Sequence, residues 1–382
     1  MNFLTVDLYN DFQCVAGVCP DTCCAGWTIN MDDETYRKME ENEEILGISV
    51  SDWIIKNSEN RTVRLDHRRC PMLDEHNLCK VVSRLGPEYL SSTCAGYPRK
   101  QHQYGNIIEG YLAFSCPEVV AGLMDKRELQ FDFTTDRNPD PEEPYPYEQL
   151  YLYESAVRNV MVDIFQNSAE LSLHTKVAFA FDILEKAILL YKNGQTDFCR
   201  LEEDIAWYFQ DNRLYIMDAG LREAVSEESR YHFLQKIQLL IDVQNGSELF
   251  LEMVRQVKEY FSRNDLEQYL DDVQKFKRSQ SIYQDFHHKY WMYRIFSDLI
   301  HVPDFEKAKE NYLCIAAGFC LAQIMALVAC RKEGTLEKET YICILSNISR
   351  MMEHNKTFKE TVVRQMDGNH INGLAGLLLL VF

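Results

Sequence analysis

Residues 14 to 24 read Cys14-Val15-Ala16-Gly17-Val18-Cys19-Pro20-Asp21-Thr22-Cys23-Cys24, a C-x4-C-x3-CC run. Outward from it come Cys70 and Cys79 with eight residues between them, then Cys94 and Cys116 singly, so eight of the thirteen cysteines fall in the first third of the chain. A thiolate is a soft, charged donor that prefers zinc or iron–sulfur centres, and short loops gather several of them readily. The spacing predicts a loop-rich metal-binding region with Cys14, Cys19, Cys23, Cys24, Cys70, Cys79, Cys94 and Cys116 as candidate ligands.

The remaining five, Cys199, Cys314, Cys320, Cys330 and Cys343, sit singly in apolar helical context and read as small hydrophobic side chains. A disulfide framework is disfavoured. The cysteine total is odd, and Met1 to Asp11 lacks the basic start and apolar core of a signal peptide, so a reducing, cytoplasmic setting is expected.

At 382 residues the chain is long enough for two domains. Four of its ten prolines lie in Pro139-Asp140-Pro141-Glu142-Glu143-Pro144-Tyr145-Pro146, which cannot continue a helix, and only Pro303 follows. The expected organisation is a cysteine-rich domain over 1–138, a proline-rich linker over 139–147 and a helical domain over 148–382. The fold class is therefore mainly α: a small metal-stapled α+β N-terminal domain and a large all-α one. Hydrophobic content of 46% suits sizeable cores. A net charge of −19 argues against nucleic acid, which clustered Lys and Arg would bind, and favours a basic partner.

In the first third, Asp32-Asp33-Glu34-Thr35 reads as a helix start leading into Tyr36–Glu44, and Arg61 to Asp66 alternates like a short strand. Short helices are expected at 80–85 and 117–124, and a strand or hairpin over 104–114. Beyond the linker, Val177, Phe181, Leu184, Ile188 and Tyr191 mark one helix face, as do Leu234, Ile237, Leu240 and Ile241. Further helices are predicted near 148–166, 199–217, 247–262, 265–278, 282–299, 304–332, 336–354 and 357–366. Tyr312 to Cys330 approaches the length that crosses a bilayer, but Gln323 and its amphipathic neighbours favour a buried central helix, with the tail 374–382 docked on the same core; no membrane is expected as a partner.

The run Phe12-Gln13-Cys14, Cys19-Pro20-Asp21-Thr22-Cys23-Cys24-Ala25-Gly26-Trp27, then Cys70-Pro71 with Leu78-Cys79, Leu90 with Cys94 and Tyr97-Pro98-Arg99, and Ser115-Cys116-Pro117-Glu118, resembles the flagellin lysine-N-methylase family. That family shares its cysteine region with zinc- or iron-chelating cysteine-cluster proteins. The likeness is specific over about residues 9–120 and weaker at Glu310-Asn311-Tyr312-Leu313 and Arg350-x2-Glu353-His354. It implies a methyltransferase that moves methyl groups from S-adenosylmethionine to flagellin lysines, with a [4Fe–4S] cluster on the N-terminal cysteines.

The residues themselves leave parts of that expectation open. No two glycines are separated by a single residue, so the Gly-x-Gly turn of a Rossmann-like nucleotide site is absent. Cys24 follows Cys23 directly, which breaks the C-x3-C-x2-C spacing of an open-iron radical site. Adjacent residues in extended backbone point apart, so Cys23 and Cys24 are not expected on one metal atom. Two closed four-thiolate zinc sites would suit the spacing as well as iron. For a lysine pocket, Tyr283, Phe286, His287, His288, Tyr290, Trp291, Tyr293, Glu310 and Glu353 are candidates, though the aromatic stripe reads first as core packing and Arg350 with Glu353 as an ordinary helix-surface ion pair. Trp27, Tyr97 and Arg99 lie near the cysteines and are expected to support them. The competing function is a non-catalytic metal-stapled binding or redox-sensing module.

Overall fold

The computed structural model describes residues 2–26, 28–56, 61–135, 145–168, 170–237, 247–300, 302–368 and 371–381. Trp27, the linker prolines Pro139, Pro141 and Pro144, and Leu240 and Ile241 lie outside them. The chain is mainly α with a small α+β region at its N-terminal end, as the sequence predicts.

The strands are β1 (Asn2–Val6), β2 (Ile54–Lys56), β3 (Arg61–Val63), β4 (Arg99–Tyr104), β5 (Ile107–Leu112) and β6 (Phe131–Thr135). Four make a mixed sheet ordered β4-β5-β1-β6, and β2 pairs with β3 alone. The hairpin expected over 104–114 is β4 and β5, turning at Gly105, whose φ of 62° suits a residue without Cβ. β1 lies parallel to β5, Asn2 against Ile107, and antiparallel to β6, Asn2 against Thr135. These partners are over a hundred residues apart, and such pairing leaves no local trace in the sequence.

The first helices are α1 (Leu8–Asp11), α2 (Asp33–Glu40), α3 (Glu43–Leu46), α4 (Val50–Trp53), α5 (Lys80–Arg84), α6 (Ser92–Gly96) and α7 (Pro117–Asp125). Asp32 caps α2 by accepting from the Thr35 N–H at 2.8 Å, and its other oxygen accepts from the Ser92 N–H at 3.1 Å, which fastens α2 to α6. Between them lies a small core of Ile29, Met39, Val50, Trp53, Ile54, Val63, Met72 and their neighbours, with Cys70, Cys79 and Cys94 packed at its edge.

The later helices are α8 (Glu148–Asn167), α9 (Leu173–Lys192), α10 (Phe198–Phe209), α11 (Arg213–Ala224), α12 (Glu227–Ile237), α13 (Glu248–Arg263), α14 (Leu266–Gln280), α15 (Gln284–Asp298), α16 (Lys307–Glu333), α17 (Lys338–His354), α18 (Lys356–Gly368) and α19 (Leu374–Leu380). The single helix expected near 199–217 is instead α10 and α11. Asp211 and Asn212 part them with φ of 53° and 56°, a region that Asn and Asp enter more readily than other non-glycine residues.

α16 is the central helix. Its apolar window is long enough to cross a membrane, yet 89% of that window is buried inside the protein. It packs against α9, α13, α14, α15, α17, α18 and α19. Each large apolar side chain it buries, Tyr312, Phe319 and Leu321 among them, stabilises the fold by roughly 1.5–3 kcal/mol. The same large core takes in Val6, Leu112, Phe114 and Val120 from the sheet and α7. A buried ion pair joins these parts: Arg158 on α8 meets both carboxylate oxygens of Glu109 on β5 at 2.6 Å, and the Tyr151 hydroxyl donates to Glu109 Oε1 at 2.6 Å.

Candidate active site and thiol clusters

A cavity of about 440 Å³ opens where β4, β5, α15, α16, α17 and α18 meet. Its floor is Arg294 on α15, 5% exposed, which donates to Glu353 Oε1 on α17 at 2.7 Å and pairs with Asp298, one turn along its own helix, at 2.5 Å. The backbone N–H groups of Phe114 and Ser115 donate to Glu353 Oε1 and Oε2 at 3.2 and 3.3 Å. Burial pushes the Asp298 carboxyl above its usual range; Arg294 opposes the shift and the Glu353 charge adds to it.

Lys100, Lys356 and Lys359 also line the cavity, with Lys359 donating to Asn311 Oδ1 at 3.0 Å. On one wall His102 stacks on Tyr111, ring centres 5.6 Å apart. Burial lowers His102 and takes His354 down to about 3, with Lys100 adding to the effect at His354, so both rings are neutral at pH 7. A carboxyl group with raised proton affinity, set among neutral rings, can accept a proton from a bound amine and leave that amine uncharged.

Behind the His354 wall, Ser115 Oγ lies 2.9 Å from His354 Nε2 and 3.2 Å from the Tyr97 hydroxyl oxygen, and the next residue, Cys116, is the N-cap of α7. Cys19 donates to the Asp21 carbonyl at 3.3 Å. The Asp21 carboxylate in turn accepts from Asn347 at 2.9 Å and pairs with Arg350 at 3.0 Å, which docks the Cys19–Cys23 turn on α17. Among the described residues no disulfide joins any of the thirteen cysteines.

The charge of Cys14 acts on Cys19, Cys23 and Cys116, while that of Cys24 acts on Cys23 as well as on Cys70, Cys79 and Cys94. Burial pushes Cys70 and Cys116 up to about 12 and Cys94 to about 11. Cys23 and Cys24 hydrogen-bond each other within a turn, so their side chains converge, contrary to the expectation from extended backbone. The bond from Cys23 brings Cys24 down to about 7, against its burial and with help from Thr22, Arg69 and Arg350.

The donor set fits a thiophilic metal. Beyond the eight sulfurs, Arg350 is 2% exposed and neither of its terminal nitrogens makes a well-aligned hydrogen bond, despite the Asp21 pairing. Its positive charge acts on Cys24, and those of Cys23 and Tyr97 act on it, which is where an anionic metal–thiolate group needs a counter-charge. Among the described residues no three His, Cys, Asp or Glu side chains already stand at metal-holding geometry, so the sulfurs must close further on any ion they bind.

Several sequence-level candidates take other roles. Phe286, His287, Tyr290, Trp291 and Tyr293 are core, and Tyr283 is buried with its hydroxyl donating to the Leu336 carbonyl. His287 hydrogen-bonds the Tyr341 hydroxyl at 2.9 Å, and His288 faces Lys176 at 2.9 Å. Glu310 is exposed and outside the cavity lining, which the next residue, Asn311, joins. Arg350 and Glu353 do not form the expected surface pair: Arg350 is buried against Asp21, and the part-buried Glu353 meets Arg294 and the backbone of Phe114 and Ser115. Tyr97 sits beside the thiols, whereas Arg99 is exposed over Tyr9 and Phe12 and donates to the Phe12 carbonyl at 3.0 Å. Cys314, Cys320 and Cys330 are buried as expected of small hydrophobes, but Cys199 is exposed and Cys343 is half-buried facing Asn347. Sequence reasoning missed Asp298, Arg294 and the three lysines; the i,i+4 spacing of Arg294 and Asp298 was the available signal.

The family described as FliB lysine N-methylase C-terminal domain matches residues 158–380. Over 121 residues the chain is 34% identical to a protein named Lysine-N-methylase in Salmonella typhimurium, covering 30% of each chain. The same identity over 121 residues relates it to a Salmonella choleraesuis Lysine-N-methylase, again over 30% of each, and to the Flagellar biosynthetic protein FliU of Salmonella muenchen, over 30% of this chain and 72% of that one. The aligned part thus spans about 30% of the length of the two lysine-N-methylases. No solved structure matches.

Proposed function

We propose, from the premise that the chain belongs to the FliB lysine N-methylase family, that it methylates lysine side chains of flagellin with S-adenosylmethionine as donor. The observation that carries the reading is the Arg294–Asp298–Glu353 floor of the cavity beside the thiols. The names of the relatives support lysine methylation and a flagellar target. The net charge of −19 suits a lysine-bearing partner.

A lysine arrives as an ammonium ion and must shed a proton before its lone pair can react. Asp298, whose proton affinity burial raises, takes that proton, while Arg294 fixes the orientation of both carboxylates. S-adenosylmethionine supplies an electrophilic methyl group, its carbon–sulfur bond breaking toward sulfur as the new carbon–nitrogen bond forms. Lys100, Lys356 and Lys359 offer positive charge for the donor's carboxylate, and Tyr111 and the neutral His354 wall keep water from the amine. An iron–sulfur cluster, with Cys14, Cys19, Cys23, Cys24, Cys70, Cys79, Cys94 and Cys116 as its candidate ligands and Arg350 as counter-charge, would hold the N-terminal region in shape.

The test is transfer of labelled methyl from S-adenosylmethionine to flagellin by anaerobically reconstituted protein. Asp298→Asn should lower transfer by about 10²–10⁴-fold at pH 7 with the circular dichroism unchanged. Raising the assay pH should restore part of the loss, because more substrate amine is then already neutral. Absence of label with the wild-type chain sinks the methylase reading; full activity in Asp298→Asn sinks the role given to Asp298. A brown, iron- and sulfide-bearing protein is expected, and a colourless zinc protein would replace that cofactor assignment.

A further inference from the structure

We infer that the outer edge of β4 docks the protein substrate: a lysine-bearing segment pairs with it as an added extended strand and sends its lysine into the cavity floored by Arg294, Asp298 and Glu353. The inference rests on the methylase reading above and adds to it how a protein chain is held while one of its side chains reacts.

β4 stands at one end of the sheet, and among the described residues only β5 pairs with it. Four of its six residues, Arg99, Gln101, His102 and Gln103, are exposed, so that edge lies open to solvent. Its pairing shows which backbone groups face outward. Arg99 stands opposite Leu112, yet the Leu112 N–H donates to the Tyr293 hydroxyl at 2.8 Å and the Leu112 carbonyl accepts from it at 2.5 Å, so both groups turn away from β4. One step along, the Ala113 N–H donates to the Pro98 carbonyl at 2.7 Å. Bonded and non-bonded pairs alternate along an antiparallel ladder, so Lys100, His102 and Tyr104 bond inward to β5, while the N–H and C=O groups of Arg99, Gln101 and Gln103 point out of the sheet. A straight run of such groups without proline is a template for another extended chain.

The side chains of β4 make its edge the rim of the cavity. Lys100 and His102, with Tyr111 from β5, line it. The opposite face carries Arg99, packed over Tyr9 and Phe12, and Gln101, which donates to the Tyr9 hydroxyl at 2.8 Å. A strand added beside β4 lies about 4.8 Å away and turns every second side chain to the Lys100–His102 face, over the cavity.

A lysine at one of those positions enters beside Lys100, whose like charge disfavours the ammonium form and so favours the neutral amine that reacts. The other edge of the sheet does not offer this. β6 borders a trough lined by Phe131, Phe133 and Leu152, which holds neither Asp298 nor Glu353.

The experiment measures binding of fluorescent flagellin peptides, each centred on one lysine, to the full-length chain by anisotropy, with transfer of labelled methyl read separately. Peptides that bind are made again with a single backbone N-methyl group walked along them. Binding should fall by about tenfold at every second nitrogen and hold within about twofold at those between, because only alternate N–H groups of the added strand face β4; the phase tells whether it runs parallel or antiparallel. Gln101→Pro removes an outward N–H without taking a bond from β5, so it should weaken the unmodified peptide by about tenfold with the circular dichroism unchanged. Gln103→Pro should do the same. No peptide binding, N-methyl losses without a period of two, or full binding by a folded Gln101→Pro chain overturns the inference. Should the proline variants fail to fold, the N-methyl series on the wild-type chain decides alone. A period-two peptide that binds and gains no label sinks the methylase reading and leaves the docking edge; label on flagellin without the period of two does the reverse.

Discussion

In α16, Cys314, Cys320 and Cys330 lie buried among Tyr312, Phe319 and Leu321, whereas Cys70, Cys79 and Cys94 stay half-buried at the edge of a core of ten side chains. The large core joins strands, α7 and the later helices and holds itself by area alone; the small one has too little apolar surface to do so. One residue type therefore packs inside the core in one region and stays half-exposed at a core's edge in the other. The surroundings decide which: thiols on a continuous apolar helix face have nothing to share, while thiols on loops that converge have one another.

The comparison can be broken hardest at the buried pair that joins the sheet to α8. Arg158→Met leaves Glu109 uncompensated inside the large core and should lower unfolding free energy by about 3–5 kcal/mol, read from chemical denaturation, with bound metal unchanged. Adding Glu109→Gln should recover much of the loss. Metal released in step with the melt would show that the two cores are not held independently.

Acid should discriminate the regions next. Burial holds His174 and His288 down to about 4 and His287 and His354 down to about 3, and all four sit on the later helices. Between those values and the unfolded value near 6.5 the unfolded chain binds more protons than the folded one. Stability present above about pH 6.5 is thus lost as pH falls toward 3–4, by up to about 1.4 kcal/mol per histidine for each pH unit. His67 and His76, beside the small core, are exposed. A denaturant midpoint that does not move between pH 7 and pH 5 would contradict this.

The gentlest probe is the cap of the small core. Asp32→Ala should cost about 1 kcal/mol in the melting of that region and leave the later helices untouched. Burial opposes ionisation of Asp32, but hydrogen bonds from Thr35 and Ser92 outweigh it and hold the group at about 2. The stability it contributes is present above about pH 4 and disappears as pH falls through 2. An effect spread over the whole melt would show that the small core does not melt separately from the later helices.

Much of this architecture is legible in the sequence because it rests on local periodicity. The Val177, Phe181, Leu184 stripe is the buried face of α9, Asp32 caps α2, and Pro117 opens α7. What stays hidden depends on partners far along the chain. Nothing near Asn2 announces a strand between residues 107 and 135, and nothing near Arg350 announces Asp21, more than three hundred residues earlier. The cavity floor is hidden for the same reason: Asp298, Glu353 and the Phe114–Ser115 backbone become neighbours only when α15, α17 and β5 pack. A turn, not an extended segment, carries the Cys23–Cys24 pair, and adjacency in the sequence does not announce it.

Glu353 braces three separate pieces of chain at one carboxylate: Arg294 on α15 and two successive peptide groups just ahead of Cys116. That carboxylate works as a strut. A shift of α17 of even an ångström must either stretch those bonds or drag the Cys116 loop along, so whatever enters the cavity and moves its floor is felt by the sulfur behind it, and by reciprocity a change at that sulfur alters how readily the cavity fills.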